Sequence, residues 1–211
     1  MIAAAALALA YASGSIPSAY LAGKAKGIDL RTVGSGNLGA TNVYRTLGAK
    51  MAAVVFLVDV LKGALPVIIL PGLVFPGDAA ASTTPQWFAI ACGVAAIVGH
   101  ARPVFLLWKG GGKGVATAAG IFAAIAPVPL VLALIAFALV LWRTGYVSAG
   151  SLTAAVVLVA GVIVFDRGQS PATIAAVAVC LFVFWSHRAN IERLRAGTEH
   201  RFSRAKSGEG E

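Results

Sequence analysis

Long runs of apolar residues alternate with short polar segments along this chain of 211 residues. A helix that crosses a bilayer needs about 20 mostly apolar residues, and most of the runs approach that length. We predict helical crossings over seven stretches, namely residues 1–23, 50–72, 85–107, 115–126, 129–142, 146–165 and 172–187. The pattern therefore indicates an all-α integral membrane protein with seven transmembrane helices, some of them short.

The apolar run from Val115 to Trp142 decides the number of crossings. Its 28 residues are too many for one comfortable span, and they include Pro127 and Pro129. Proline removes a backbone donor and disrupts a helix, so we predict that the run folds back at these two residues. The two resulting helices are short, and we expect a funnel or a local thinning of the bilayer beside them.

Positive charge sets the orientation that we predict. Lys and Arg concentrate in cytoplasmic loops. With seven crossings, 15 of the 17 Lys and Arg residues fall on the side of the C-terminus, and only Lys62 and Arg167 lie elsewhere. A single crossing at 115–142 would divide this charge between both sides. We therefore expect the N-terminus outside and the C-terminus in the cytoplasm, with far-side loops at 73–84 and 166–171.

The composition agrees with a membrane protein. Only 12% of the residues are charged, and the net charge is +9, whereas soluble domains have about 25% charged residues. Cys92 and Cys180 lie in apolar runs and are too few for a disulfide framework or a metal site. We expect one membrane-embedded domain over residues 1–195, followed by a polar, mobile cytoplasmic tail at 196–211.

The segment GSGNLGATNVYRTLG, residues 34–48, is unusually polar for its place between two apolar runs, and it contains no carboxylate. Glycines let a backbone approach a ligand closely, and successive free N–H groups form anion-binding nests. An arginine fork suits a phosphate. We expect phosphate ligands and neutral donors at five positions, Ser35, Asn37, Thr41, Asn42 and Arg45. The alternative is an ordinary polar loop between two helices.

A second glycine-rich segment, GHARPVFLLWKGGGKGVAT at residues 99–117, leads into a predicted helix. A glycine-rich turn before a helix N-terminus is a ready anion site. We expect a phosphate cradle formed by Lys109, Gly111, Gly112, Lys113 and Gly114. The alternative is that each lysine is a separate cytoplasmic anchor. The segment is not a P-loop, because glycine follows the second lysine where Ser or Thr would stand. For His100, a structural and a functional role are both open.

The third polar segment, HRANIERLRAGTE at residues 187–199, follows the last apolar run. In a helix, His187 and Asn190 share a face at positions i and i+3, so we expect both in a site. For Glu192 we expect a cap or an ion pair with a neighbouring arginine rather than the role of a base. The alternative is a basic amphipathic helix without a catalytic role. Three arginines are expected to point elsewhere, toward anionic headgroups, namely Arg188, Arg193 and Arg195.

Two further polar features lie within the predicted helices. Asp59 and Lys62 stand at i and i+3 in the second apolar run, where unpaired charges are costly. We expect the two side chains to neutralise each other or to line a polar cavity. The segment SGSIPSAY, residues 13–20, either lines the same cavity or packs as a proline kink.

The three polar segments share the predicted cytoplasmic face and are rich in phosphate-binding side chains. They indicate a pocket in the wall of the membrane domain that binds a small phosphorylated anion. Because it faces lipid, such a pocket is suited to joining that anion to an acyl chain. The carboxylates are scattered and the three His residues are far apart, so we expect no metal and no cofactor. A transporter of phosphorylated molecules, a membrane phosphatase and another lipid-headgroup transferase are the competing hypotheses.

Five stretches of the chain resemble one family of bacterial membrane enzymes. SGNLGATNVYR, KGGGKGVAT and HRANIERL followed by GTE are similar to the three motifs of the acyl-phosphate:glycerol-3-phosphate acyltransferases, the PlsY family. SGSIPSAYL near the N-terminus and DVLKG at 59–63 match the same pattern. The family is expected to have one glycine fewer between the two lysines, and Lys113 matches the family lysine better than Lys109 does.

The resemblance implies transfer of a fatty acyl group from acyl phosphate to the 1-hydroxyl of glycerol 3-phosphate, which gives lysophosphatidic acid and phosphate. Because the donor is an activated mixed anhydride, we expect no covalent acyl-enzyme. The active site would face the cytoplasm at the bacterial plasma membrane. We expect a monomer that binds both substrates and membrane lipid but no nucleic acid. By motif position, the substrate-binding and catalytic residues are Ser35, Arg45, Lys113, His187 and Asn190.

Overall fold

The computed structural model describes residues 1–77, 83–166 and 170–202, and all regular secondary structure within these ranges is helical. The predicted all-α class is therefore confirmed for them. A short 3-10 turn at Val104–Leu106 follows the fifth helix. In chain order the α-helices are α1 (Ile2–Gly14), α2 (Ser18–Lys24), α3 (Ala40–Leu47), α4 (Ala49–Val74), α5 (Thr83–Ala101), α6 (Val115–Ile125), α7 (Pro127–Thr144), α8 (Val147–Phe165), α9 (Pro171–Ser186) and α10 (Arg188–Arg195).

In the described ranges, five helical segments are long and apolar enough to cross a membrane: α1 with α2, α4, α5 with the turn after it, α7 and α8. The pair α9 and α10, bent by 59°, gives a sixth if it forms one span. α6 has only 11 residues. At about 1.5 Å per residue it is roughly 16 Å long, which is shorter than a hydrocarbon core of about 30 Å. The count of seven crossings and the orientation stay predictions.

The long apolar run that holds Pro127 and Pro129 is divided into two helices, as predicted, but the second begins earlier than expected. α6 ends at Ile125 and α7 begins at Pro127, so both prolines lie in the first turn of α7. The first turn tolerates proline because its N–H groups have no partner within the helix. Ala126, which precedes proline, leaves the helical region with φ −151° and ψ 68°. α7 therefore has 18 residues and is longer than the predicted segment 129–142.

Small residues let the helices beside the site approach closely. A Cβ on Gly14 of α1 would overlap the backbone of Ala96 in α5, and one on Gly120 of α6 would overlap the carbonyl of Val60 in α4. Small residues at such crossings are typical of membrane helices. As a result, α1 packs on α5 and α4 packs on α6. The loop between α5 and α6 carries the second polar segment.

Two apolar clusters support the elements that carry the polar segments. Leu30, Leu38 and Val43 are buried together in the smaller cluster, which holds the loop before α3 against α2 and α4. The larger cluster joins α6, α8 and α9 around Phe122 and Val162. The first cluster thus fixes one polar segment, and the second fixes the helices that adjoin the other two.

Parts of two predicted regions lie outside the described residues. These parts include Asp78 and Arg167 of the far-side loops and residues 203–211 of the predicted tail. The portion of the tail that precedes them contacts α3 through Phe202.

Candidate active site

The three predicted polar segments line one cavity of about 600 Å³. Its walls come from α3 with the loop before it, from α4, from the start of α6, and from α7 and α8. The remaining wall is formed by α10 and by the residues that flank it. These elements are far apart in the sequence, so the fold brings together the groups that the sequence assigns to a single site.

Most of the predicted site residues line this cavity, namely Ser35, Asn37, Thr41, Asn42, Arg45, Lys113, Gly114, His187 and Asn190. Three predicted phosphate ligands do not line it, Lys109, Gly111 and Gly112. The side chain of Lys109 is exposed at the surface. Of the two lysines that flank the glycines, Lys113 is therefore the one that reaches the cavity.

Backbone hydrogen bonds explain why the glycine-rich loop contributes less to the cavity than predicted. The N–H of Gly112 donates to the carbonyl of His100 at 3.1 Å, and the carbonyl of Gly111 accepts the N–H of Leu38 at 3.2 Å. The donor of Gly112 is thus used inside the protein. Gly114, with φ +76°, caps α6 and is the glycine of this segment that lines the cavity.

Asn42 lines the cavity, but its amide holds the loop before α3. Its Nδ2 donates to the carbonyls of Leu30 and Val33, both at 3.1 Å, and its Oδ1 accepts the N–H of Ser35 at 2.9 Å. Both N–H groups of the amide are therefore donated within the protein. Asn42 fixes the position of Ser35 and does not offer the cavity the free donor that we predict from the sequence.

Lys113 and Asn190 meet in the cavity, as the third polar segment and the glycine-rich loop come together. The ammonium group of Lys113 donates to Oδ1 of Asn190. Burial lowers the pKa of Lys113 to about 8; the charge of Glu199 opposes this shift, and the charges of Arg193 and Arg45 add to it. The ammonium group is therefore charged at neutral pH and loses its proton at mildly alkaline pH.

His187 is buried at the junction of α9 and α10, and one contact determines its tautomer. Its Nδ1 lies 2.8 Å from the carbonyl oxygen of Val183. A carbonyl oxygen only accepts, so Nδ1 carries the proton and donates it, and Nε2 keeps a lone pair.

Glu199 is a member of the site that the sequence analysis does not include. Its side chain is 5% exposed, and its carboxylate accepts hydrogen bonds from Ser148 at 2.9 Å, Asn190 at 2.6 Å and Arg193 at 2.7 Å. Burial favours a higher pKa for this carboxyl group, but the hydrogen bonds outweigh it and hold the pKa below its usual value. The sequence signal was the GTE that ends the third polar segment, which falls in the expected tail.

One expectation for the third polar segment is wrong. Arg193 does not point toward headgroups, because its guanidinium group bonds Glu199 and lines the cavity. Asn190 and Arg193 stand at i and i+3, so the spacing that joins His187 to Asn190 also brings Arg193 to this face. Glu192 is exposed and does not line the cavity.

Residues 198–202, which we call the C-terminal segment, close one side of the cavity. Nη2 of Arg45 donates to the carbonyl of His200 at 3.2 Å. The ring of Phe202 stacks on Tyr44 with the ring centroids 4.5 Å apart. The backbone N–H of Phe202 donates to the carbonyl of Gly145, in the turn between α7 and α8, at 2.6 Å. The segment thus connects α3 to that turn.

A buried ionic network formed by Asp59, Lys62 and His100, which we call the floor network, lies where α4 meets α5. Nζ of Lys62 is 2.8 Å from Oδ1 of Asp59. Ser18 donates to Asp59 at 2.6 Å, and Lys62 donates to the carbonyl of Ile16 at 2.9 Å. Asp59 and His100 also line the cavity. The predicted pairing is therefore confirmed. Asp59 lines the cavity and Lys62 does not, and Ile16 and Ser18 of the SGSIPSAY segment bond the pair without lining the cavity.

Apolar side chains complete the lining of the cavity. Phe56 of α4 and Phe137 and Leu141 of α7 belong to it. Phe56 is 47% exposed, so the apolar wall continues onto the outer surface of α4. The cavity therefore presents cations together with an apolar wall that reaches the surface of a candidate membrane span.

The family model described as glycerol-3-phosphate acyltransferase matches residues 4–197. The chain belongs to this family. The glycerol-3-phosphate acyltransferase of Geotalea daltonii is 45% identical over 197 residues, and the alignment covers 92% of this chain and 95% of that protein. The one of a Synechococcus species is 47% identical, with 92% of each protein covered.

Two crystal structures of PlsY, an integral membrane glycerol 3-phosphate acyltransferase, have the same fold. The glycerol 3-phosphate form has a TM-score of 0.84 and 38% identity, and it covers 95% of this chain and 96% of that chain. The lysophosphatidic acid form has a TM-score of 0.81 and 36% identity, with 95% of each chain covered. The predicted resemblance is confirmed, and this acyltransferase family member is an integral, multi-pass membrane protein.

Proposed function

We propose that this chain is an acyl-phosphate:glycerol-3-phosphate O-acyltransferase. It transfers a fatty acyl group to the 1-hydroxyl of glycerol 3-phosphate and releases lysophosphatidic acid and phosphate, as the first acylation of phospholipid synthesis. The observation that carries the proposal is a cavity lined by Arg45, Lys113 and Arg193 beside an apolar wall. Its support is the family, in which the similar PlsY structures are a glycerol 3-phosphate form and a lysophosphatidic acid form.

The cations of the cavity are the proposed phosphate ligands. Arg45 now bonds a neutral carbonyl, that of His200. A phosphate accepts a charge-assisted pair of hydrogen bonds from a guanidinium fork and is therefore the stronger partner. Lys113 contributes a second charge next to Asn190. Neutral donors and backbone complete the proposed phosphate-binding set, namely Ser35, Asn37, Thr41 and Gly114.

The apolar wall supports an acyl donor. Phe56, Phe137 and Leu141 lie in the same cavity as the cations, so an acyl chain on this wall would keep its activated carbonyl close to the phosphate ligands. An acyl phosphate carries its own anionic leaving group. This phosphate group would therefore bind a second cation of the cavity. A thioester donor has no charged group at that position.

The proposed reaction is a direct transfer. The 1-hydroxyl oxygen of glycerol 3-phosphate forms a bond to the acyl carbonyl carbon. The bond from that carbon to the phosphate oxygen breaks, and phosphate leaves with the electron pair. Because the mixed anhydride is already activated, the protein's tasks are to hold two anions together and to stabilise the charge that develops. No nucleophilic side chain and no cofactor takes part.

The state of His187 defines its proposed role. Its Nε2 keeps a lone pair, so it accepts a hydrogen bond from the attacking hydroxyl and orients it. A phosphate monoester dianion, whose second pKa is about 6, comes with the substrates and takes up a proton near neutral pH. We assign the hydroxyl proton to a substrate phosphate. Asn190 and Ser35 orient the reacting groups by hydrogen bonding.

Purified protein tests the function when it is supplied with glycerol 3-phosphate and one acyl donor at a time. We expect lysophosphatidic acid and one equivalent of phosphate from acyl phosphate, and no product from acyl-coenzyme A or from an acyl-carrier thioester. Without glycerol 3-phosphate, phosphate release and acyl-labelled protein should both be absent. Phosphate release without the acceptor would indicate a phosphatase, and labelled protein would contradict direct transfer.

The orientation is proposed from the sidedness of the basic residues. We propose seven crossings by a single domain over 1–195, to which the C-terminal segment adds one side of the cavity, a monomer, and a cavity open to the cytoplasm of the bacterial plasma membrane. With the native cysteines replaced, Asp166→Cys should react with an impermeant maleimide in intact cells, and Lys109→Cys only after permeabilisation. The reverse pattern would contradict the orientation, and light scattering of the purified protein tests the monomer.

A further inference from the structure

The loop that carries Lys113 contains three successive glycines, Gly110, Gly111 and Gly112, and these glycines do not line the cavity. Glycine loses more conformational freedom on folding than any other residue. A run of three therefore stays in one conformation only if contacts from outside the loop hold it. Those contacts therefore determine where Lys113, which follows the glycines, directs its ammonium group.

The imidazole of His100 provides one of these contacts. A Cβ on Gly112 would overlap Nε2 of His100, whereas a Cβ on Gly111 would overlap the backbone carbonyl of Ala101. The N–H of Gly112 also donates to the carbonyl of His100. The ring and the backbone of one residue thus contact the loop immediately before Lys113.

The opposite edge of the His100 ring faces Asp59. Nδ1 lies 3.8 Å from Oδ1 of Asp59, and the same oxygen accepts from Ser18 and pairs with Lys62. His100 is only 6% exposed. Both ring nitrogens therefore face protein atoms, Nε2 toward the glycine-rich loop and Nδ1 toward the floor network.

We propose that His100 is a positioning residue: held between Asp59 and Gly112, it seats the glycine-rich loop and so fixes the place of the Lys113 ammonium group. The contact itself is independent of the reaction, whereas its kinetic consequence rests on the proposed function. A reacting group displaced by about 1 Å lowers the rate by about 100-fold. The seat of the loop therefore determines how well Lys113 serves a substrate phosphate.

A double variant tests the contact between the ring and the loop. Gly112→Ala is expected to lower kcat/KM for glycerol 3-phosphate about 100-fold, because the new methyl group displaces the loop, and His100→Ala about tenfold. When both substitutions are combined, the space left by the ring receives the methyl group. The kcat/KM of the double variant should then equal or exceed that of His100→Ala alone.

Gly111→Ala is the matched control for this pair. Its methyl group would meet the backbone of Ala101, which His100→Ala does not remove. The double variant of His100→Ala with Gly111→Ala should therefore be no more active than Gly111→Ala alone. Losses that add in the Gly112 pair, or an equal recovery in the Gly111 pair, would overturn the proposal.

A second measurement follows Lys113 without any turnover. Only the unprotonated amine reacts with an acylating reagent, so the labelling rate at each pH, read by peptide mass spectrometry, gives its titration. In His100→Ala, a looser loop brings the ammonium group into water, and the midpoint of Lys113 should rise toward the ordinary range of a solvated lysine. The surrounding charged and titratable groups are unchanged in this variant, namely Glu199, Arg193, Arg45 and His187.

The two measurements separate this proposal from the proposed function. If the wild type forms no lysophosphatidic acid but the midpoint shifts in His100→Ala, the function fails and the positioning role stands. An unchanged midpoint in His100→Ala overturns the positioning role whatever reaction the wild type catalyses. Each variant must elute as one peak in detergent, and His100→Ser, which also removes the ring, replaces His100→Ala in both measurements if the alanine variant does not fold.

Discussion

The floor network and the mouth of the cavity, by which we mean Arg45, Arg193 and Glu199, both surround one carboxylate with basic side chains. At the floor, the side chains of Asp59 and Lys62 are 2% and 4% exposed and pair at 2.8 Å. At the mouth, Arg193 pairs with Glu199 at 2.7 Å, yet its side chain is 35% exposed. The pairing distances are alike, so burial of the cation is what distinguishes the two regions.

Burial decides which charges are able to change partners. A buried charge is stabilised only by its partner in the protein, because no water is present to take the partner's place. At the mouth, water already competes for each cation, and Arg45 bonds only a neutral carbonyl. We therefore expect the floor network to keep its contacts and hold the cavity in shape, and the mouth to exchange its contacts for those of a substrate phosphate.

The largest effect is expected from Asp59→Ala, which leaves Lys62 buried without its partner. Removal of one member of a buried pair costs about 3–5 kcal/mol of folding free energy, so the variant should aggregate at a much lower temperature in detergent or fail to accumulate. Replacement of both charges, by Asp59→Leu with Lys62→Met, should recover most of this stability. A double variant as unstable as the single one would assign the loss to something other than the pair.

Arg45→Ala should have the opposite profile, with activity lost and stability kept. Loss of a donor that stabilises charge in the transition state lowers turnover by about 100- to 1,000-fold, while an exposed substitution changes stability by about 0.5 kcal/mol or less. Lysophosphatidic acid formation and thermal aggregation are measured on one preparation. Arg45→Lys keeps the charge but loses the guanidinium fork, so its activity should lie between that of the wild type and that of Arg45→Ala. Near-normal turnover in Arg45→Ala would show that the mouth of the cavity does not take part in the reaction.

The pH dependence distinguishes Lys113 from the permanently charged arginines. Its pKa is lowered to about 8 by burial, and a cation is lost as the pH rises through its pKa. We expect kcat/KM for glycerol 3-phosphate to be level near pH 7 and to fall about tenfold per pH unit well above pH 8. Lys113→Arg should keep its positive charge at alkaline pH, so its kcat/KM should not fall above pH 8. A fall that remains in this variant would belong to the titration of another group.

Local patterns in the sequence carry most of the fold and the chemical character of the site. Apolar runs give the helices, and the residue before Pro127 gives the break, because both depend on neighbours in the chain. The spacing of His187 and Asn190 likewise follows from helix geometry. The start of α7 differs because proline is compatible with a first turn as well as with a loop, and a pattern does not choose between the two.

The rest of the site depends on contacts between distant segments. Apart from the match of Lys113 to the family lysine, nothing local distinguishes Lys109 from Lys113. The direction of each lysine follows from where α5 and Leu38 hold the loop. Asn42 has the composition of a phosphate ligand, but the carbonyls that occupy it come from a loop folded back on α3. Glu199 enters the cavity only because its donors lie on α8 and α10. None of these pairings has a spacing that a sequence pattern records.

The smallest effect is expected at the C-terminal segment, where Phe202→Ala removes the stack on Tyr44. Such an aromatic pair is worth about 0.5–1.5 kcal/mol, which corresponds to about a 2- to 10-fold change in an equilibrium constant. The segment also holds Glu199 and the carbonyl bonded to Arg45, so its loosening should raise KM for glycerol 3-phosphate by that factor and leave kcat nearly unchanged.

Phe202→Tyr keeps the stacked ring and is the control for this substitution. It should have the KM of the wild type, which would assign the effect to the ring and not to any change at this position. A fall in kcat in Phe202→Ala as large as that in Arg45→Ala would contradict the comparison between the two regions. The C-terminal segment would then be as fixed as the floor network, and the mouth would not be the part of the cavity that exchanges its contacts.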